Sequence, residues 1–159
     1  MSEENVLWSG TLEEYFLMTW GPKEIWGRQP ETPAEPLPEV RAIEVVEMAR
    51  RMGVAKKKLI HALGYSRGEL VRKAKDGAYL NEKQSELFHG LKRMIRFVHR
   101  YYPEKAYDAT FNPERWMGQF LLRRHHCLGG SYGADYMNTV ERQEHVEDAL
   151  VAPIFGLYV

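Results

Sequence analysis

At 159 residues, with 44% hydrophobic and 28% charged side chains, the chain is long enough to bury a core as one or two small domains. No apolar run approaches the ~20 residues of a membrane span, and the acidic N-terminus lacks the basic-then-apolar pattern of a secretory signal. The single cysteine, Cys127, cannot form an internal disulfide and suits a reducing compartment, so the expected location is cytoplasmic. Net charge is zero, but the layout is uneven. Residues 1–49 hold ten acids against three Lys/Arg, residues 50–105 hold fifteen Lys/Arg against five acids, and residues 106–159 hold four against seven. A basic middle in a neutral chain fits a module that touches phosphate, or a solvated helical face.

Residues 1–38 read as an extension. Leu12, Tyr15, Phe16 and Met18 to Trp20 suggest a short helix with Thr11 as its cap and Glu13-Glu14 at its start. Trp8, Trp20 and Trp26 either pack on the main body or offer a dimer or partner surface. Four prolines between Pro30 and Pro38 then make a stiff, extended linker.

From Glu39 the pattern turns helical. Val40, Ile43, Val46 and Met48 to Met52 alternate with charges at 3.6 spacing, and Gly53 ends that helix. A second helix spans Lys56 to Leu63, with Gly64-Tyr65 as a turn. Ser66 and Glu69 form a capping box for a third helix that runs to Lys75 and closes at Asp76-Gly77. This is the layout of a helix-turn-helix, with Leu59, Leu63, Tyr65 and Leu70 holding the two helices together. Arg67, Arg72, Lys73 and Lys75 are expected to point outward, as a groove reader needs, because arginine pairs with guanine edges and lysine neutralises phosphate. Ser66, Lys56 and Lys58 complete the candidate DNA-binding set.

Asn81 caps the longest helix. Leu87, Phe88, Leu91, Met94, Ile95 and Val98 form its apolar stripe, Lys92, Arg93, Arg96 and Arg100 its outer face, and Pro103 stops it. Asn112-Pro113 starts another helix with Trp116, Met117, Phe120 and Leu121 inward. Leu128-Gly129-Gly130 breaks the chain, since paired glycines accept backbone angles other residues resist. Thr139 caps a last helix in which Val146, Ala149, Leu150 and Ile154 recur at helical spacing, with Glu147 and Asp148 on the other face. Pro153 is expected to kink or end this helix, and Gly156 to stop it. No stretch reads as a strand. The chain finishes on an apolar tip, Leu157-Tyr158-Val159, which either folds back onto the core or plugs a pocket on another protein.

Trp116-Met117, Leu128-Gly129-Gly130, Thr139, Val146, Leu150, Ile154 and Gly156 resemble the toxin-binding domain of the Xre/MbcA/ParS antitoxins. Leu63 to Arg67, Leu70, Arg72, Gly77 and Leu80 resemble the Xre-like helix-turn-helix that precedes that domain. The resemblance implies an all-α fold in three parts: an extension and linker at 1–38, a DNA-binding helix-turn-helix domain at 39–103, and a small toxin-binding domain at 104–159. It implies a homodimeric antitoxin with two partners, operator DNA and a RES-domain toxin that consumes NAD or transfers its ADP-ribose. Trp116, Leu128, Gly129, Gly130, Val146, Leu150, Ile154, Gly156, Leu157, Tyr158 and Val159 would bind the toxin, the tip lying in or over its NAD cleft.

Other chemistry is not expected. His125-His126-Cys127 are adjacent and point apart, with no second cluster to complete a metal site. The remaining histidines lack a companion nucleophile and acid, and there is no phosphate-binding loop or dinucleotide fingerprint. The expectation is a non-enzyme with no metal and no cofactor of its own. Two alternatives stay open: a helix-turn-helix regulator whose C-terminal domain only dimerises, and an interaction protein that never touches DNA.

Overall fold

The computed structural model describes residues 37–102 and 110–152. The described chain is mostly helical, with six α-helices. They are α1 (Ala42–Met52), α2 (Lys56–Ala62), α3 (Arg67–Asp76), α4 (Glu82–Tyr101), α5 (Pro113–Leu121) and α6 (Val140–Val151). Two short strands, β1 (Arg124–His125) and β2 (Ser131–Tyr132), pair antiparallel between α5 and α6, with Arg124 opposite Tyr132. The expectation of no strand is corrected at these four residues. The Leu128-Gly129-Gly130 break lies in their connection, where Gly130 N–H donates to His125 O across 2.9 Å. A two-residue ladder is too short to leave a period-2 signature.

The helix starts follow side-chain chemistry. Asn81 and Gln84 form a reciprocal box at the head of α4: the Asn81 side chain accepts from Gln84 N–H at 2.8 Å and the Gln84 side chain from Asn81 N–H at 3.1 Å. Asn112 caps α5 by accepting from Arg115 N–H, with Pro113 in the first turn where no amide is needed. Thr139 caps α6 through Arg142 N–H. Helix α1 differs from expectation. It starts at Ala42, not Glu39, and its inward face is Ala42, Val45, Met48, Ala49 and Met52, leaving Ile43 exposed. The segment before it is extended, bonding Leu80 N–H to Val40 O, so Arg41 and Tyr79 form an isolated bridge.

Buried side chains from Val40 to Val151 form one cluster, so the core runs across the division expected at residue 103. The α4 stripe reads as predicted: Leu87, Phe88, Leu91, Met94, Ile95 and Val98 are all buried. Helix α5 lies against α1 closely enough that a Cβ on Gly118 would stand 2.2 Å from Met52 O. Helix α6 packs on α4 through Gln143, which is buried and donates from Nε2 to Leu87 O at 3.1 Å and Met137 O at 3.0 Å. Glu147, expected on the outer face of α6, is buried instead, with Arg93 of α4 turned toward it. Helix α6 runs to Val151, and Ala152 after it still has helical angles, φ −53° and ψ −49°. The expectations placed on Ile154, Gly156 and the tip Leu157-Tyr158-Val159, and those on the tryptophans of residues 1–36, lie outside the described residues. No helix among the described residues is long and apolar enough to cross a membrane.

Candidate nucleic-acid interface and C-terminal segment

Helices α2 and α3 are joined by four residues, Leu63 to Ser66. Three backbone bonds tighten the turn: Leu63 N–H to Leu59 O, Gly64 N–H to His61 O and Tyr65 N–H to Ile60 O. Gly64 sits at φ +75°, where a side chain would be strained, and its face lies against Asn138. Leu59, Leu63, Tyr65 and Leu70 are all buried, as the sequence suggests. The Tyr65 hydroxyl donates to Gln84 O at the head of α4, which fixes the turn against the longest helix. Burial pushes the Tyr65 phenol well above its ordinary pKa, so it stays a donor across the accessible pH range. Ile60, on the α2 side of the turn, is buried as well.

Ser66 caps α3 by accepting from Glu69 N–H at 3.5 Å. The second half of the expected box is not what Glu69 does. Its carboxylate takes an ion pair from Lys73 Nζ at 2.9 Å, one helical turn on. The hydrogen bond from Lys73, then its charge, holds the Glu69 carboxyl below the usual carboxylate range. Lys73, expected to face outward with its neighbours, is therefore half-buried and paired along the helix. An i,i+4 pair with the glutamate N-terminal is the favoured orientation, so each partner gains from the helix dipole as well as from the other. Arg67, Arg72 and Lys75 remain exposed on α3, with Ser66 at its start and Lys56 to Lys58 exposed on α2. Lys57, Lys58 and Arg67 share one cleft of about 730 Å³ with His61 and Tyr132. That brings the basic ends of the two helices to a single side of the turn.

The C-terminal landmarks divide by burial. Leu128, Val146 and Leu150 are core residues, with Val146 and Leu150 at 0% exposure. They can shape a partner surface only by fixing α6, not by touching the partner. Trp116 is half-buried in an aromatic run, its ring 4.4 Å from that of Tyr102 and 5.4 Å from that of Phe120. Gly129 and Gly130 are exposed. The Tyr102 hydroxyl donates to Leu150 O at 3.1 Å, tying the end of α4 to the last turn of α6. The end of α6 is thereby held in place immediately before residues 153–159.

His125 and His126 do not converge. The His125 ring stacks on Phe120 at 3.9 Å with Nε2 2.7 Å from Phe120 O, while His126 and Cys127 are exposed. Among the described residues no group of three or more His, Cys, Asp or Glu is placed to hold a metal.

Sequence reasoning missed the part of the cleft that faces α2. Tyr132 and Asp135 come from seventy residues downstream, and no spacing rule links them to His61. The Glu69–Lys73 pair, by contrast, could have been read from its i,i+4 spacing. The fold and site define a mostly helical protein with exposed basic side chains on two consecutive helices, α2 and α3. Comparison with protein-family models, with curated proteins and with solved structures gave no match for this chain.

Proposed function

We propose that the protein is a type II antitoxin of the Xre/MbcA/ParS kind. In this reading it represses its own operon through α2 and α3 and neutralises a RES-domain, NAD-directed toxin with its C-terminal end. The observation that carries the DNA half is the tight turn between α2 and a serine-capped α3 from which Arg67, Arg72 and Lys75 stand free of the core. Arg67 and Arg72 would meet base edges, while Lys56, Lys58 and Lys75 would hold phosphates. A homodimer would place two such helices one DNA turn apart, about 34 Å, on a palindromic operator.

The toxin half rests on the resemblance of the C-terminal landmarks. Burial of Leu128, Val146 and Leu150 supports it by making α6 a fixed base for the segment that follows. Residues Gly156 to Val159 would enter the toxin's NAD cleft, with the terminal carboxylate meeting groups meant for the cofactor's pyrophosphate. NAD then belongs to the toxin.

The test is co-purification. The full chain and a version ending at Ala152 are expressed with the neighbouring genes. A small NAD-consuming partner retained by the full chain and lost by the shorter one is the expected result. No partner with either protein would overturn the antitoxin reading and leave a DNA-binding regulator whose C-terminal part dimerises.

A further inference from the structure

The cleft beside α2 has two chemistries in one space. Leu122 and Tyr132 line it and stay 39% and 40% exposed, over a floor that includes Ile60. Its rim carries Lys57, Lys58, His61 and Arg67 against one acid, Asp135. That carboxylate is already engaged, accepting from Tyr132 N–H at 3.3 Å. The volume, about 730 Å³, lies in the range that encloses a small organic molecule. A sugar–phosphate backbone would satisfy the cations and leave Leu122, Tyr132 and Ile60 facing a polar surface. An apolar ligand without charge would cover those three and leave the cations without a partner.

We propose that this cleft binds a small amphipathic anion: an aromatic or aliphatic body against Leu122, Ile60 and Tyr132, and a carboxylate, sulfonate or phosphate facing Lys57 and His61. Both halves are needed. The apolar body removes Leu122 and Tyr132 from water, and the anion takes charge-assisted hydrogen bonds that a neutral head cannot. Occupancy requires neither DNA nor a toxin, so the site stands or falls apart from the antitoxin reading.

Two fluorescent probes that differ only in a sulfonate test it on the full chain: 8-anilinonaphthalene-1-sulfonate and its uncharged parent, N-phenyl-1-naphthylamine. The expected result is one saturable site for the sulfonate, at least about tenfold tighter than for the parent. The double variant Lys57→Glu/His61→Glu, at exposed positions of α2, should abolish that preference while keeping the wild-type melting curve. Leu122→Glu should weaken both probes. Equal affinity for the two probes, binding that does not saturate, or a preference unchanged in the double variant would overturn the assignment.

Discussion

The Arg93 guanidinium of α4 lies 3.5 Å from the Glu147 carboxylate of α6, whose side chain is only 4% exposed. The pair joins two helices 54 positions apart in sequence and stands beside the buried Gln143 contact to Leu87 O. Removing one member leaves the other charge desolvated, which is far costlier than losing a surface bridge. Arg93→Ala should lower unfolding free energy by ~3 kcal/mol, the low end for a buried pair, because the arginine side chain keeps 21% exposure. Arg93→Met with Glu147→Leu should recover most of the loss, since apolar residues of similar volume need no charge partner. Urea midpoints of the three proteins check this; a double variant as unstable as the single would mean that packing, not charge, dominates.

Gly118 and Gly68 should respond in opposite directions to alanine. A Cβ at Gly118 meets a backbone oxygen, Met52 O, that cannot move without shifting α1 against α5. Gly118→Ala should cost about 2–3 kcal/mol as an overpacking change. Gly68 has nothing within 4 Å of its added Cβ and sits inside α3. Gly68→Ala should stabilise by up to ~1 kcal/mol through helix propensity alone. Thermal unfolding of both variants gives the comparison.

DNA affinity should track the free cations of α3. Lys75→Ala should reduce the slope of log K against log salt by roughly 0.9, the amount for one lost phosphate contact. Glu69→Gln should act in the other direction, because it releases Lys73 from its intrahelical pair and removes a negative charge from the same face. Fluorescence anisotropy on a duplex of arbitrary sequence, across a salt series, measures both. No binding by wild type at low salt would remove the DNA reading.

The same pair sets a pH dependence. Glu69 has a lower pKa folded than unfolded, because Lys73 hydrogen-bonds and attracts its ionised form. Its stabilising contribution is therefore fully present above the unfolded carboxylate pKa, about 4.3. It is lost as pH falls through the folded value. Wild type should be more stable than Glu69→Gln at neutral pH, and their denaturation midpoints should converge under acid. The pair is solvent-screened, so the gap should be small. A gap that persists unchanged into acid would assign it to packing.

Truncation after Ala152 should leave folding and DNA binding intact, since α6 is complete at Val151 and Leu150 is already bonded by Tyr102. Circular dichroism and the anisotropy assay check that directly. A collapse of the melting transition would show that residues beyond 152 belong to the core.

Much of the local structure is legible in the residues themselves. Asn81, Asn112 and Thr139 announce helix starts because a short polar side chain satisfies an amide that the helix leaves open. The α4 stripe declares its buried face through 3.6 periodicity. The start of α1 is not legible, because Val40 continues the apolar rhythm while its carbonyl pairs with Leu80 N–H, a partner forty residues away. Among the candidate site residues, exposure of Arg67, Arg72 and Lys75 was readable from the helix phase. Lys73 pairs with its own helix neighbour Glu69, and Val146 and Leu150, candidates for a partner surface, are buried in the core.

Sequence alone determined where α2 to α6 begin, which residues turn the chain and that basic charge is gathered in its middle, because these depend on neighbours within about one helical turn. Tertiary structure decided the rest. It turned Glu147 inward to Arg93, seated Gly118 against Met52 O and gathered Lys57, His61, Leu122 and Tyr132 around one cleft. Those relations join residues dozens of positions apart. Their energies come from desolvation and close packing between helices, which no local spacing encodes.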